Sequence, residues 1–287
     1  MTTIPDNIWI IGCGDIGLRV AQLYRLGADS ITGIVRSKDS AHRCEQAGIT
    51  AKVIDLDSDN LPDPKQFEDA LIYYFAPPAG KTTDTRIERF LKFSGNTARR
   101  IVLISTTGVY GDQNGAWVDE ATPAKPATDR AGRRLSAENT LKIWAEKYQK
   151  EYIILRVPGI YAPDRLPLER LKKRLPIVRE SEAPWINRIH ADDLAMICKA
   201  AMDSKISNTI YNVTDGQPGT MVDYFNQVAD FAGLPRPPQI TLKQAIETLS
   251  PGMASYLKES RRISNKKMLK ELNITLRYPN LREGLKK

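Results

Sequence analysis

The chain has 287 residues, 41% of them hydrophobic and 26% charged, a balance that excludes a disordered or fibrous polymer and admits one large globular domain or a domain with a smaller appendage. No apolar run reaches the length of about 20 residues needed to span a bilayer, and the first one is broken by glycines and has no basic leader, so no membrane partner is expected. The net charge of +8 would draw anions, but Lys and Arg are scattered and no motif that reads RNA or DNA appears, so the expected partner is an anionic small molecule rather than nucleic acid.

From residue 8 to about residue 160, apolar runs rich in β-formers alternate with helical patterns: IWIIG, SITGIVR, AKVIDLD, ALIYYFAP, RIVLIST and YIILRVPGIY. Such alternation predicts βαβ units around a parallel sheet covered on both faces, an α/β, doubly wound Rossmann fold. Beyond Pro163 the pattern changes. A basic helical stretch, LPLERLKKRLP, precedes WINRIHADDLAMICKAAMD, and TIYNVTD reads as a further short strand. The tail from Gly216 is mostly helical, punctuated at GQPG, LPRPP and SPG. The expected division is a dinucleotide-binding domain over residues 1–163, to which 186–215 return, and a smaller helical substrate lobe from 164–185 and 216–287. Cys13, Cys44 and Cys198 are widely spaced and accompanied by only His42 and His190, which predicts neither a disulfide framework nor a metal site, and fits a reducing cytoplasm.

Directly after the first strand stands Gly12-Cys13-Gly14-Asp15-Ile16-Gly17, a GxGxxG that opens a helical pattern. Its glycines permit a tight turn and close approach of backbone to pyrophosphate, and the helix start offers free N–H groups to phosphate. An NAD enzyme would carry an acidic residue for the ribose 2′-hydroxyl at the end of the second strand. Here that place is held by Arg36, which can fork onto a 2′-phosphate, so NADP is favoured over NAD. Asp55-Leu56 follows the third strand, where a carboxylate can accept from the adenine amino group or simply make a turn. Ala76-Pro77-Pro78 ends the fourth, as a floor beside the cofactor or as a plain strand terminator.

With these motifs the chain resembles the extended short-chain dehydrogenase/reductase family, the NAD(P)-dependent nucleotide-sugar epimerases and dehydratases. The likeness runs through GCGDIG, STTGVYG (residues 105–111), LRVPGIYAPD (155–164), RIHADDLA (188–195), YNVTDG (211–216) and the closing SNKKMLKEL and LRYPNLREGL. The resemblance implies a Ser/Thr, a Tyr and a Lys acting together at the nicotinamide, with Thr106 at the first position. The family pattern PxSxYGxSKxxAE, laid from Pro126, meets PATDRAGRRLSAE, which puts Thr128 on the Ser, Arg130 on the Tyr and Arg134 on the Lys. A guanidinium cannot exchange a proton near neutrality, so Arg130 is no acid–base group, whereas Arg134 could keep a ribose-binding role. The chain therefore resembles an atypical branch without the catalytic Tyr. For the dehydratases the likeness is weaker still, since Thr107-Gly108 stand where they carry an Asp-Glu pair.

Several residues could fill the gap. Asp129 reads as a helix-start charge, Tyr110 and Tyr161 lie after strands, and His190 precedes a helix, where it either titrates or is held structurally. Arg130, Arg133 and Arg134 together would bind a carboxylate or phosphate, although Arg133 can equally be solvated on the outer helix face. Arg165, Arg170, Lys172, Lys173 and Arg174 lie where relatives hold a nucleotide-sugar diphosphate, or form a solvated basic helix. Two functions follow: an NADP-dependent epimerase- or reductase-like oxidoreductase acting on an anionic substrate such as a nucleotide-sugar, or a catalytically silent NADP(H) sensor that signals to a protein. The resemblance also allows a helix-mediated homodimer.

Overall fold

The computed structural model describes residues 7–24, 31–248 and 257–286. Seven strands form one sheet: β1 (Ile8–Ile11), β2 (Ile31–Val35), β3 (Thr50–Val53), β4 (Leu71–Tyr74), β5 (Arg100–Thr106), β6 (Glu151–Val157) and β7 (Thr209–Asn212). They lie in the order β7-β6-β5-β4-β1-β2-β3, and every ladder is parallel. The doubly wound α/β sheet expected from the sequence is therefore present, and the strand order reverses between β1 and β4, where such sheets open a crevice at their carboxyl edge.

The continuous apolar runs have a direct cause. Ile8 and Ile10 point into a core shared with helices α1 (Asp15–Gln22) and α2 (Lys38–Gln46), while Trp9 and Ile11 point into the opposite core with α3 (Thr85–Ser94) and α4 (Asp129–Tyr148). A strand covered on both faces has no polar side to show. The helix starts follow from capping: the Ser37 side chain accepts from Ser40 N, Asp84 from Arg86 N and Ile87 N, and Thr128 from Ala131 N. Helix α1 has no such cap, for its N-cap is Gly14, with no side chain to satisfy the first N–H groups.

After β6 the chain runs mostly through short elements outside the main sheet. The stretch LPLERLKKRLP yields only the short α5 (Leu168–Lys172), and WINRIHADDLAMICKAAMD begins as two short strands, Trp185–Ile186 and Arg188–His190, before α6 (Ala191–Asp203). Helix α6 returns to pack against α1, and β7 extends the main sheet beside β6. Helices α7 (Met221–Ala232), α8 (Leu242–Thr248), α9 (Lys266–Leu272) and α10 (Leu281–Leu285) follow among the described residues, with short strands between them. Tyr161, Leu171, Val222, Phe225, Leu281 and Leu285 form a separate hydrophobic cluster with these helices. The punctuation at SPG lies outside the described residues.

Candidate functional site

The carboxyl ends of β1 to β4 surround one cavity, lined by Gly12, Cys13, Gly14, Arg36, Asp55, Leu56, Ala76, Pro77 and Arg86. Gly12 has φ +87, and a Cβ there would stand 2.6 Å from Ala76 N, so any side chain would close the turn against the end of β4. A Cβ on Gly14 would meet nothing within 4 Å, which leaves the approach to the uncapped start of α1 open to a phosphate. Arg36 is exposed at the rim. The Asp55 carboxylate accepts from Asp57 N at 3.0 Å, which makes it a turn residue as well as a cavity wall.

The other expected members of this group lie elsewhere. Gly17 packs α1 against Ile10 and Cys13 rather than facing the cavity, and Asp15, Ile16 and Pro78 are not among its lining residues. Asp15 is paired with Arg19 at 3.0 Å and with Arg165 at 2.6 Å. The sequence reading missed Arg86, which donates to the Pro77 carbonyl at 2.5 Å and forks onto Asp57, holding that carboxyl below its ordinary range. No motif marked it, because its place in the cavity depends on how α3 crosses the ends of β3 and β4.

A second cavity of about 330 Å³ lies beyond the ends of β5 and β6 and is lined by Thr106, Thr107, Gly108, Thr128, Arg130 and Ala131 on one side. Pro158, Gly159, Trp185, Ile186, Asn187, Met221, Glu259 and Arg261 complete it. Thr106 ends β5 with its hydroxyl accepting from Gly108 N at 3.1 Å. Arg130 is exposed one position into α4, at the cavity wall, and Asp129 beside it is the exposed helix-start charge. The motif arginines thus separate. Arg134 turns inward and donates to the carbonyls of Ile104 at 3.0 Å and Ala76 at 3.5 Å, and burial pushes its pKa below the ordinary arginine value, with Asp84 opposing. Arg133 is not solvated on the outer face: it is half-buried and donates to the Lys81 carbonyl at 3.0 Å.

Behind the second cavity stands a buried polar network. Glu138, at the end of the AE motif, is fully buried and pairs with Arg156 of β6 at 2.7 Å while accepting from Ser105 at 2.6 Å. Arg156 lies 4.8 Å from the Tyr110 ring, and the Tyr110 hydroxyl donates to Asn212 at 2.8 Å. Burial raises the Tyr110 pKa, and Tyr161, whose hydroxyl donates to the Asn280 carbonyl at 3.1 Å, is raised for the same reason. His190 is buried, caps α6 by accepting from Asp192 N at 3.2 Å, and has its pKa lowered by burial. None of the three lines the cavity.

The basic stretch 165–174 does not reach the cavity either. Arg165 pairs with Asp15, Arg170 donates to the Pro176 carbonyl at 2.7 Å, and Lys172 pairs with Glu169 at 2.8 Å. In its place the segment Glu259–Arg261 arrives from the C-terminal lobe. Arg261 donates to Glu259 at 2.7 Å and to the Gly111 carbonyl at 2.6 Å, and Glu259 is the one carboxylate among the described residues lining this cavity. Trp185, Met221, Glu259 and Arg261 had no local signal in the sequence. Among the described residues no cluster of three or more metal-ligating side chains occurs, and no helix is long and apolar enough to cross a membrane.

Comparison with known proteins gives a family match over part of the chain and a fold over nearly all of it. Residues 87–214 match the model of the NAD dependent epimerase/dehydratase family. Of the similar solved structures, a functionally unknown conserved protein from Silicibacter pomeroyi DSS is 27% identical with a TM-score of 0.86, over 98% of this chain and 97% of that one. UDP-glucuronic acid 4-epimerase from Bacillus cereus, in complex with NAD, is 17% identical with a TM-score of 0.78, over 97% and 96%. UDP-N-acetylglucosamine 4-epimerase from Methanobrevibacter ruminantium M1, in complex with UDP-N-acetylmuramic acid, is 16% identical with a TM-score of 0.77, over 98% and 97%. A search of curated proteins gives no match.

Proposed function

We propose, for a chain whose residues 87–214 carry the NAD dependent epimerase/dehydratase domain, an NADP-dependent oxidoreductase of an anionic hydroxyl or carbonyl compound, a nucleotide-sugar among the candidates. The observation that carries this reading is the pair of cavities along one sheet edge, one walled by the glycine turn and Arg36, the other by Thr106, Arg130 and Glu259. The residues present fit a dinucleotide: the open Gly14 and uncapped α1 suit a pyrophosphate, and Arg36, with no acidic residue at the strand end, suits a 2′-phosphate. When bound, nicotinamide supplies or accepts the hydride.

The rest falls to this chain's own side chains. The Thr106 hydroxyl donates a hydrogen bond to the substrate oxygen and fixes its direction. As the substrate hydroxyl is oxidised and its carbon gives up hydride, the Glu259 carboxylate takes the hydroxyl proton, and it returns that proton on reduction. Arg261 positions Glu259, and Arg130 at the opposite wall attracts the substrate's anionic group. Three buried free cysteines suit a reducing cytoplasm.

One observation favours a second reading. Arg130 stands where the family's phenol would be, so the same two cavities could bind cofactor and ligand without turnover, as a sensor of the NADPH/NADP ratio. Titration with NADP, NADPH, NAD and NADH, followed by turnover assays on nucleotide-sugars, separates the two. NADP binding that weakens about tenfold or more in Arg36→Ala, with turnover lost in Thr106→Ala, supports the enzyme. Binding that discriminates oxidised from reduced cofactor with no turnover supports the sensor, and absence of dinucleotide binding refutes both.

A further inference from the structure

The walls of the reaction cavity say what size and charge of substrate they suit. Its volume of about 330 Å³ stands at the foot of the range of roughly 300–1,000 Å³ over which ligand pockets fall. A nucleoside diphosphate brings two negative charges, and the walls do not answer both. Glu259 and Arg261 pair at 2.7 Å within the wall and cancel, so the described lining side chains carry a single net positive charge, that of Arg130. No residue of the basic stretch 165–174 is among them.

Nor are the walls equipped to read the hydroxyls of a sugar. Asn187, the one side-chain amide among the described lining residues, is spent at both ends: Nδ2 donates to the Arg261 carbonyl at 3.0 Å and Oδ1 accepts from Ile263 N at 2.9 Å. Pro158, Trp185, Ile186 and Met221 supply an apolar surface. Trp185 is set in place before any ligand arrives. Its backbone N–H donates to Ser260 Oγ at 3.1 Å, the Arg262 guanidinium lies 5.4 Å from its ring, and Arg262 is itself held by the Gly115 carbonyl at 2.7 Å. Sugar hydroxyls pressed against such a surface lose water and gain no partner, whereas an apolar group gains by burial.

We infer, resting on the oxidoreductase reading above, that this cavity takes a small monocarboxylate, a hydroxy or oxo acid with an apolar body, rather than a nucleotide-sugar. Arg130 meets the carboxylate, Trp185 and Met221 meet the body, and Thr106 meets the reacting oxygen. The oxidation balances within the parts already named: the carbinol C–H bond breaks, its hydride reduces NADP, the hydroxyl proton passes to Glu259, and the oxo acid is the product.

Calorimetric titration of the full chain with 3-phenyllactate, with and without NADP, tests this, using UDP-glucose and the uncharged 3-phenylpropane-1,2-diol as comparison probes. Saturable binding of 3-phenyllactate alone is expected, weakened about tenfold or more in Arg130→Ala and in Trp185→Ala and regained in Arg130→Lys. Arg130 is exposed, so its variants keep the fold and decide the matter if Trp185→Ala does not fold. Failure of 3-phenyllactate to saturate, saturation by UDP-glucose, equal binding of the diol, or binding indifferent to Arg130→Ala would each overturn the inference. Turnover of UDP-glucose would overturn it while sustaining the oxidoreductase reading. Arg130-dependent binding of 3-phenyllactate to a chain that takes no NADP would sustain the carboxylate site and overturn that reading instead.

Discussion

The two cavities on the sheet edge are built in different ways. The one at β1 to β4 takes its walls from residues within a few positions of a strand end: Gly12 to Gly14 after β1, Arg36 after β2, Asp55 and Leu56 after β3, Ala76 and Pro77 after β4. The one at β5 and β6 draws on residues 106–108, 128, 130, 131, 158, 159, 185–187, 221, 259 and 261, and the last six of these come from distant parts of the chain beyond the strand ends. The first is a property of the βαβ repeat and varies little with the rest of the chain. The second is a property of the particular loops, which is where one fold acquires different chemistries.

Mutations can break this contrast at several points. The largest effect is expected beneath the second cavity, where Arg156→Met strands the buried Glu138 carboxylate and should cost about 3–5 kcal/mol in urea unfolding. A loss below about 1 kcal/mol would mean that the pair does not anchor α4. Next, Glu259→Gln should lower kcat by about 10²–10⁴-fold while NADP affinity stays as it was. If NADP affinity fell instead, the cavities would not be separable. Gly12→Ala forces a Cβ against Ala76 N at positive φ, which should cost about 1–3 kcal/mol and weaken NADP binding with it, leaving substrate binding at Thr106 intact.

The smallest effect is a pH dependence. Burial pushes the Asp215 carboxyl from its ordinary 3.8 up to about 7, with Arg188 opposing. The folded state therefore holds a proton that the unfolded chain releases. Its stabilising effect is complete below the unfolded value and is lost as pH rises through about 7. Asp215→Asn should flatten this fall in thermal midpoint between those limits, and an unaltered slope would assign it to another group.

What was legible in the sequence follows the same division. The apolar runs, the glycine turn and the helix-start charge at Asp129 are local rules, and each appears where the sequence put it. Beyond Pro163 the short strands Trp185–Ile186 and Arg188–His190 carry no period long enough to read, so nothing in WINRIH marks them, although the helix start after His190 is legible. The arginine cluster at 130–134 shows a different limit. Adjacent helix positions look alike in sequence, yet Arg130 faces the cavity, Arg133 reaches Lys81 and Arg134 sits under the strand ends. Glu259 could not have been found, because no local pattern connects it to Thr106.

Arg19 of α1 binds Asp15 at 3.0 Å, Asp164 at 2.7 Å and Asp192 at 2.5 Å, one carboxylate each from the glycine turn, the entry to the C-terminal lobe and the start of α6. In mechanical terms this side chain is a hinge pin. It fastens the start of α1, the turn after β6 and the start of α6 to one point, so a displacement of any one of them has to break an ion pair to the other two.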